Sequence, residues 1–164
     1  MILIGIGSNL ASREYGTSVE TAAAALEQLP AQGVELIVRS RWYFSEPVPA
    51  SDQPWFINAV AAVETLLAPA DLLQRLLDLE VRFGRSRSLP NAARTLDLDL
   101  LDCDGRRVET ESLVLPHPRL HLRRFVLAPL CDVAPDWRHP VLGLTAAELL
   151  ARLPEGQAVH PLGD

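Results

Sequence analysis

Asp97 and Asp99 stand two residues apart in the stretch ARTLDLDLLDC, residues 93 to 103, with Arg94 just ahead of them. In an extended chain alternate side chains share a face. Both carboxylates therefore project in parallel, roughly 6–7 Å apart at the backbone for a rise of about 3.3 Å per residue, and Leu96, Leu98 and Leu100 take the other face. Aspartate is disfavoured in strands. Two ionised carboxylates this close repel each other unless a cation or hydrogen-bond donors stand between them. Mg²⁺ suits the pair, because it takes hard oxygen ligands, usually one or two carboxylates completed by water and substrate phosphates. The plain alternative is a solvated strand face.

The flanking residues favour phosphate. Arg82, Arg85, Arg87 and Arg94 fall within thirteen residues that hold no Asp or Glu. Guanidinium forks match phosphate oxygens bidentately. A second basic cluster, Arg119, His121, Arg123 and Arg124, follows the PHP at 116–118. Carboxylates flanked by arginines form a set for Mg²⁺-nucleotide chemistry. Any one of these arginines alone reads better as a surface residue paired with the acidic excess.

Other chemistries fail on their residue requirements. All fifteen basic residues are arginine, so a Schiff base or a P-loop lysine is excluded. The GIGSN at 5–9 has only G-x-G and no third glycine, and reads as a tight turn after a strand. His117 and His121 lack the glutamate of a zinc-binding helix and have Pro118 between them. Cys103 lies between Asp102 and Asp104, which raise a thiol pKa rather than activate it. The net charge of −6 argues against nucleic-acid binding. Two cysteines make no disulfide framework. No uncharged apolar run approaches the roughly 18 residues of a membrane span, and MILIGIG is too short for a signal peptide. A cytoplasmic protein with no nucleic-acid or membrane partner is expected.

The elements that must position the aspartates follow from pattern. Residues 2–7 read as a buried strand. Thr17 or Ser18 caps a helix through VETAAAALEQL. Val34–Phe44 reads as one strand, Ser45–Pro54 as a proline-bounded loop and Trp55–Thr65 as a long strand. Leucines at 72, 73, 76, 77 and 79, with Pro69 in the first turn and Gly84 at the end, give a helix. The aspartate strand ends in a hairpin turn at DG. Short helices follow in RRFVLAPLCDV and TAAELLAR. The order is β-α-β-β-α-β: an α+β, ferredoxin-like antiparallel sheet flanked by helices with C-terminal additions, spanning residues 1–164 as one domain.

Taken in order, IGIGSNL, SEPVPASDQPWFINAV, FGRSRS, ARTLDLDLL and LPHPRLHLRRFVLAPL resemble the 6-hydroxymethyl-7,8-dihydropterin pyrophosphokinase family over about Ile4 to Pro135. The resemblance implies transfer of the β,γ-pyrophosphoryl group of ATP to the pterin hydroxymethyl group, with AMP leaving, in folate biosynthesis. It implies two Mg²⁺ ions on Asp97 and Asp99, with Asp97 aligning or deprotonating the hydroxyl. Arg85 and Arg94 match arginines that close over the triphosphate, and Arg87 a less essential one. His117 and Arg123 match nucleotide-binding positions, and Glu80 a residue near the ribose. Phe56 and Phe125 match the residues that sandwich the pterin. Asn58 matches the residue that binds its amide edge, helped by the backbone at Ser45, Pro47 and Val48. The family also suggests a monomer.

The chain departs from the pattern in places. The 85–94 stretch is slightly short and lacks a tryptophan, with Leu89 the only apolar anchor. Pro118 stands where some members have tyrosine, and Phe56 replaces a frequent tyrosine. Two other readings compete: a non-catalytic ferredoxin-like module that binds a ligand or protein, and a different Mg²⁺-dependent nucleotidyltransferase. The first would not need Asp97, Asp99, Arg85 and Arg94 in one cleft; the second leaves Phe56, Asn58 and Phe125 unexplained.

Overall fold

The computed structural model describes residues 1–84 and 93–163. In chain order the elements are β1 (Ile2–Ser8), α1 (Ser18–Glu27), β2 (Val34–Arg39), β3 (Tyr43–Ser45), β4 (Phe56–Thr65), α2 (Pro69–Arg82) and β5 (Asp97–Cys103). They continue with β6 (Val108–Glu109), β7 (Val114–Leu115), α3 (Arg124–Val133), α4 (Ala146–Arg152) and β8 (Val159–Pro161).

The main sheet runs β5-β1-β4-β3-β8, and β2 pairs with β4 beyond β3. Among the described residues every strand pairing in this sheet is antiparallel. This is the expected α+β, ferredoxin-like order, with β1 central and β5 at the edge. Thr17 caps α1 through a capping box: its side chain accepts from the Glu20 amide at 3.2 Å, and Glu20 accepts from the Thr17 amide at 2.8 Å. The two orphan donors at that end are thus satisfied reciprocally. In α2, Pro69 occupies the first turn, and Leu72, Leu76 and Leu79 are fully buried. Their spacing puts them on one stripe of the helix, and each contributes about 1.5–3 kcal/mol by leaving water.

Alternation gives the sheet two cores. Ile2, Ile4 and Ile6 of β1, with Leu98 and Leu100 of β5, pack under α1 and α2. Leu3, Val60, Ala62 and Leu101 face the opposite side, which α3 and α4 cover. The C-terminal additions thus supply a second layer. Among the described residues no helix is long and apolar enough to cross a membrane.

Three expectations change. The 34–44 strand divides into β2 and β3, both on β4. Ser40 divides it: its amide donates to the Val60 carbonyl, its hydroxyl accepts from the Val60 amide at 3.0 Å, and the same hydroxyl donates to the Arg41 carbonyl at 2.7 Å. A side chain has taken over the ladder bond, and the register also shifts between Leu36 and Val38. The DG turn forms, with both residues at positive φ and Arg106 N–H on the Cys103 carbonyl, but β6 pairs with β7 rather than with β5. The third is β8, for which the tail shows no strand pattern; it pairs with β3.

Candidate active site

The aspartates sit where β5 runs beside β1, with Asp97 opposite Gly7 and Asp99 opposite Gly5. The two glycines are strand residues, as the reading of residues 2–7 has it, and the strand runs one residue further, to Ser8. A Cβ on Gly7 would stand 3.1 Å from Asn58 Oδ1 and 3.9 Å from the Asp97 Cβ, and one on Gly5 would stand 3.8 Å from the Asp99 Cβ. Glycine there keeps the floor before the carboxylates open.

Each carboxylate meets a guanidinium. Arg94 reaches Asp97 at 3.1 Å and Arg123 reaches Asp99 at 3.3 Å, with all four side chains roughly a quarter exposed. The donor set fits Mg²⁺: two partly exposed hard carboxylates on one strand face, with open space before them. From behind, the Glu80 carboxylate on α2, only 1% exposed, accepts the Leu98 amide at 3.2 Å. β5 is an edge strand whose outward amides have no strand partner there, so Glu80 pins it between the two aspartates. That places Glu80 in the fold's interior, behind the strand that carries the aspartates.

Arg94 is held by its backbone. Its amide donates to Asn9 Oδ1 at 2.8 Å, and its carbonyl accepts from the Asn9 and Leu10 amides at 3.0 and 3.1 Å. The Asn9 side chain also donates to Gln53 Oε1 and to the Pro54 carbonyl. Asn9, 2% exposed, thus joins the arginine segment to the end of the 45–54 loop.

A cavity of about 200 Å³ opens beside Asp97. Phe56, Asn58 and Phe125 line it with Ser45, Pro47 and Val48, and Arg94, Arg119 and Arg123 complete its charged wall. Asn58 is buried and donates to the Ser45 hydroxyl. The Arg123 guanidinium lies 5.5 Å from the centre of the Phe125 ring, a cation–π distance. A narrow cleft of about 20 Å³ runs along Gly5, Gly7, Asp97 and Asp99 and shares Asn58 and Phe125 with the cavity. A wider hollow of about 760 Å³ at the far end of the sheet is lined by Glu35, Glu64 and Asp104 and by no basic side chain; it would repel a phosphate.

His117 follows β7. Its Nδ1 accepts from the Arg119 amide at 3.1 Å, which leaves Nε2 as the donor. Burial, then Arg123 and Arg119, push its pKa down to about 4. It is therefore a neutral donor near pH 7, not a cation. The second basic cluster divides: Arg119 and Arg123 line the cavity, Arg124 donates to the Pro154 carbonyl, and His121 packs edge-on against His139 in a separate hollow. Burial raises the thiol pKa of Cys103 first, with Asp104 adding to it. Arg85, Arg87 and Leu89 lie outside the described residues.

The structure therefore gathers Arg94, Asp97, Asp99, Arg123, Phe56, Asn58, Phe125, Ser45, Pro47 and Val48 into one place. Sequence reasoning missed Gly5, Gly7, Asn9, Gln53 and Gln157, while Arg119, named only as one of the second basic cluster, lines the cavity. The available signal was glycines on alternate residues, which leave one face of a strand bare.

A family model described as 7,8-dihydro-6-hydroxymethylpterin-pyrophosphokinase matches residues 3–135. A 2-amino-4-hydroxy-6-hydroxymethyldihydropteridine pyrophosphokinase of Pseudomonas aeruginosa is 42% identical, covering 93% of this chain and 91% of that protein. One of the same name from Methylorubrum extorquens is 39% identical, over 92% and 91%. Among solved structures, a Plasmodium falciparum HPPK-DHPS triple mutant superposes with a TM-score of 0.70 at 14% identity over 92% of this chain. This chain spans 44% of that one, so the likeness speaks for the fold. A family match across most of the length, with two relatives near 40% identity, settles the assignment: the chain belongs to the 7,8-dihydro-6-hydroxymethylpterin-pyrophosphokinase family.

Proposed function

We propose that this chain carries out its family's reaction in folate biosynthesis at the Asp97–Asp99 cleft, using ATP, the hydroxymethyl-dihydropterin and Mg²⁺. The observation that carries the reading is the adjacency of two unlike half-sites. A strand face with two carboxylates and three arginines adjoins a cavity walled by two phenylalanines and a buried asparagine. One half suits a metal-bound triphosphate; the other suits a flat, hydrogen-bonding ring.

The chemistry is a displacement at Pβ. The pterin hydroxymethyl oxygen forms a bond to Pβ, the bond from Pβ to the α,β-bridging oxygen breaks, and AMP leaves with that oxygen. The hydroxyl proton passes to a base, and Asp97, which lines both the cavity and the cleft, is the group placed to align it or accept it. Mg²⁺ held by Asp97 and Asp99, two ions by family resemblance, supplies charge neutralisation on the phosphate oxygens. Arg94, Arg119 and Arg123 attract the triphosphate and stabilise the charge that builds on the departing oxygen. Arg94 and Arg123 pair with the aspartates, and nucleotide binding exchanges these ion pairs for phosphate contacts. His117 offers one neutral N–H to a phosphate oxygen. Phe56 and Phe125 hold the pterin faces, and Asn58 reads its edge. Most of the rate gain then comes from holding the hydroxyl in line with Pβ. Arg85 and Arg87 join the nucleotide set, Glu80 contributes from behind β5, and a cytoplasmic monomer is the matching state.

The test is an assay for nucleotide products with and without 6-hydroxymethyl-7,8-dihydropterin. AMP should appear only with the pterin and Mg²⁺. ADP in its place would overturn pyrophosphoryl transfer.

A further inference from the structure

The family model ends at residue 135, yet the cavity assigned to the pterin has a wall that comes from beyond it: Gln157 lines it beside Ser45, Glu46, Pro47 and Val48. We infer that residues 157–161 act as a strap that presets the pterin-reading segment Ser45–Val48, and that Gln157 is a positioning residue for pterin affinity. This rests on the proposed pterin site and deepens it.

The argument begins with Glu46, whose three polar functions are all tied to residues 157 and 158. Its amide donates to the Ala158 carbonyl at 3.2 Å. Its carbonyl accepts from Gln157 Nε2 at 2.8 Å. Its carboxylate oxygen Oε1 accepts from the Ala158 amide at 2.7 Å. Around this clamp β8 lies antiparallel to β3, with Ser45 opposite Val159, Phe44 opposite His160 and Tyr43 opposite Pro161. The Leu162 amide returns to the Trp42 carbonyl at 2.8 Å, and the Trp55 and His160 rings stack 6.5 Å apart.

This arrangement decides what the segment offers a ligand. With the Glu46 backbone and one of its carboxylate oxygens held by the strap, Ser45, Glu46, Pro47 and Val48 are presented to the cavity in one arrangement, together with Asn58, which donates to the Ser45 hydroxyl. Two prolines, at 47 and 49, further stiffen the segment. A segment already ordered loses less freedom when a rigid ring docks, so more of the contact energy appears as affinity. β8 is short and at the sheet edge, away from β5, so its influence is confined to the pterin half of the site.

The experiment is equilibrium titration of 6-hydroxymethyl-7,8-dihydropterin by fluorescence on the full chain and on Gln157→Ala and Gln157→Glu, in parallel with a non-hydrolysable ATP analogue and thermal melting. Gln157→Glu keeps the shape of the side chain but loses the N–H donor, and it sets a carboxylate against the Glu46 carbonyl. Both variants should weaken the pterin about five- to tenfold. Nucleotide affinity should hold within about twofold, and Tm within about 3 °C. Pterin affinity within about twofold of the parent in both variants would overturn the strap. A parallel loss of nucleotide affinity would overturn it too, because it would mark a general structural effect. Absence of pterin binding by the unaltered chain would instead overturn the substrate reading on which the strap rests.

Discussion

At the scale of the residue, the site is a matter of charge held still. Asp97 and Asp99 each face an arginine, and both point away from the leucine core. On the proposed reading, replacing either by alanine removes a metal ligand without opening a core cavity. Turnover with Mg²⁺ and ATP should therefore fall at least about a thousandfold while the fold persists. Single-turnover AMP formation, with circular dichroism as the control for folding, measures both. A Mg²⁺-dependent rate near that of the parent in either variant would remove the carboxylates from the metal assignment. These residues were legible because the period of a strand is two: leucines at 96, 98 and 100 dictate where 97 and 99 must point. The same rule, applied to β1, would have assigned Gly5 and Gly7 to the aspartate face. It does not suffice alone, because the pattern of residues 2–7 does not say which strand lies beside β1; only the pairing with β5 sets Gly5 and Gly7 opposite the aspartates.

At the scale of the element, function depends on how loops are fastened to the sheet. Asn9 is the chief fastener: its buried amide binds Gln53 and Pro54 on one side and the Arg94 amide on the other. Asn9→Ala removes the partners of the Arg94 N–H and the Pro54 carbonyl at a part-buried place, so a loss of about 0.5–1.5 kcal/mol in urea denaturation is expected. KM should rise for both substrates, since the residue joins a nucleotide-side segment to a pterin-side loop. A rise for one substrate only would show that the two halves are not coupled through it. Such fasteners are illegible in a sequence, because their partners lie 44 and 85 residues away. The helices were legible, since capping box, leucine stripe and proline all act within a few turns. Val34–Phe44 was not: its alternation carries on through Ser40, and only the bond between Ser40 and Val60 reveals the break.

At the scale of the whole molecule, stability carries the imprint of the site. His117 is held neutral with a pKa near 4, against 6.5 in an ordinary setting. Between those values the unfolded chain binds the proton and the folded chain does not. Stability therefore declines as pH drops from about 6.5 toward 4 and is retained above that window. His139, also lowered chiefly by burial, acts in the same direction. Tm should fall less between pH 7 and pH 5 in His117→Gln than in the parent; an equal fall would assign the titration elsewhere. The sheet itself shows how one strand meets two sets of demands. Between the Leu3–Asp102 and Ile4–Leu100 pairs the register slips, leaving Leu101 extra. Leu101 joins the α3–α4 core, and Asp102 accepts the Trp137 indole N–H at 2.8 Å. The slip resets the odd–even rhythm of the strand, so the end that carries Asp97 and Asp99 and the end that anchors the C-terminal layer are out of phase. Changes in the anchoring end can then be absorbed at the slip before they turn Asp97 or Asp99 toward the oily interior.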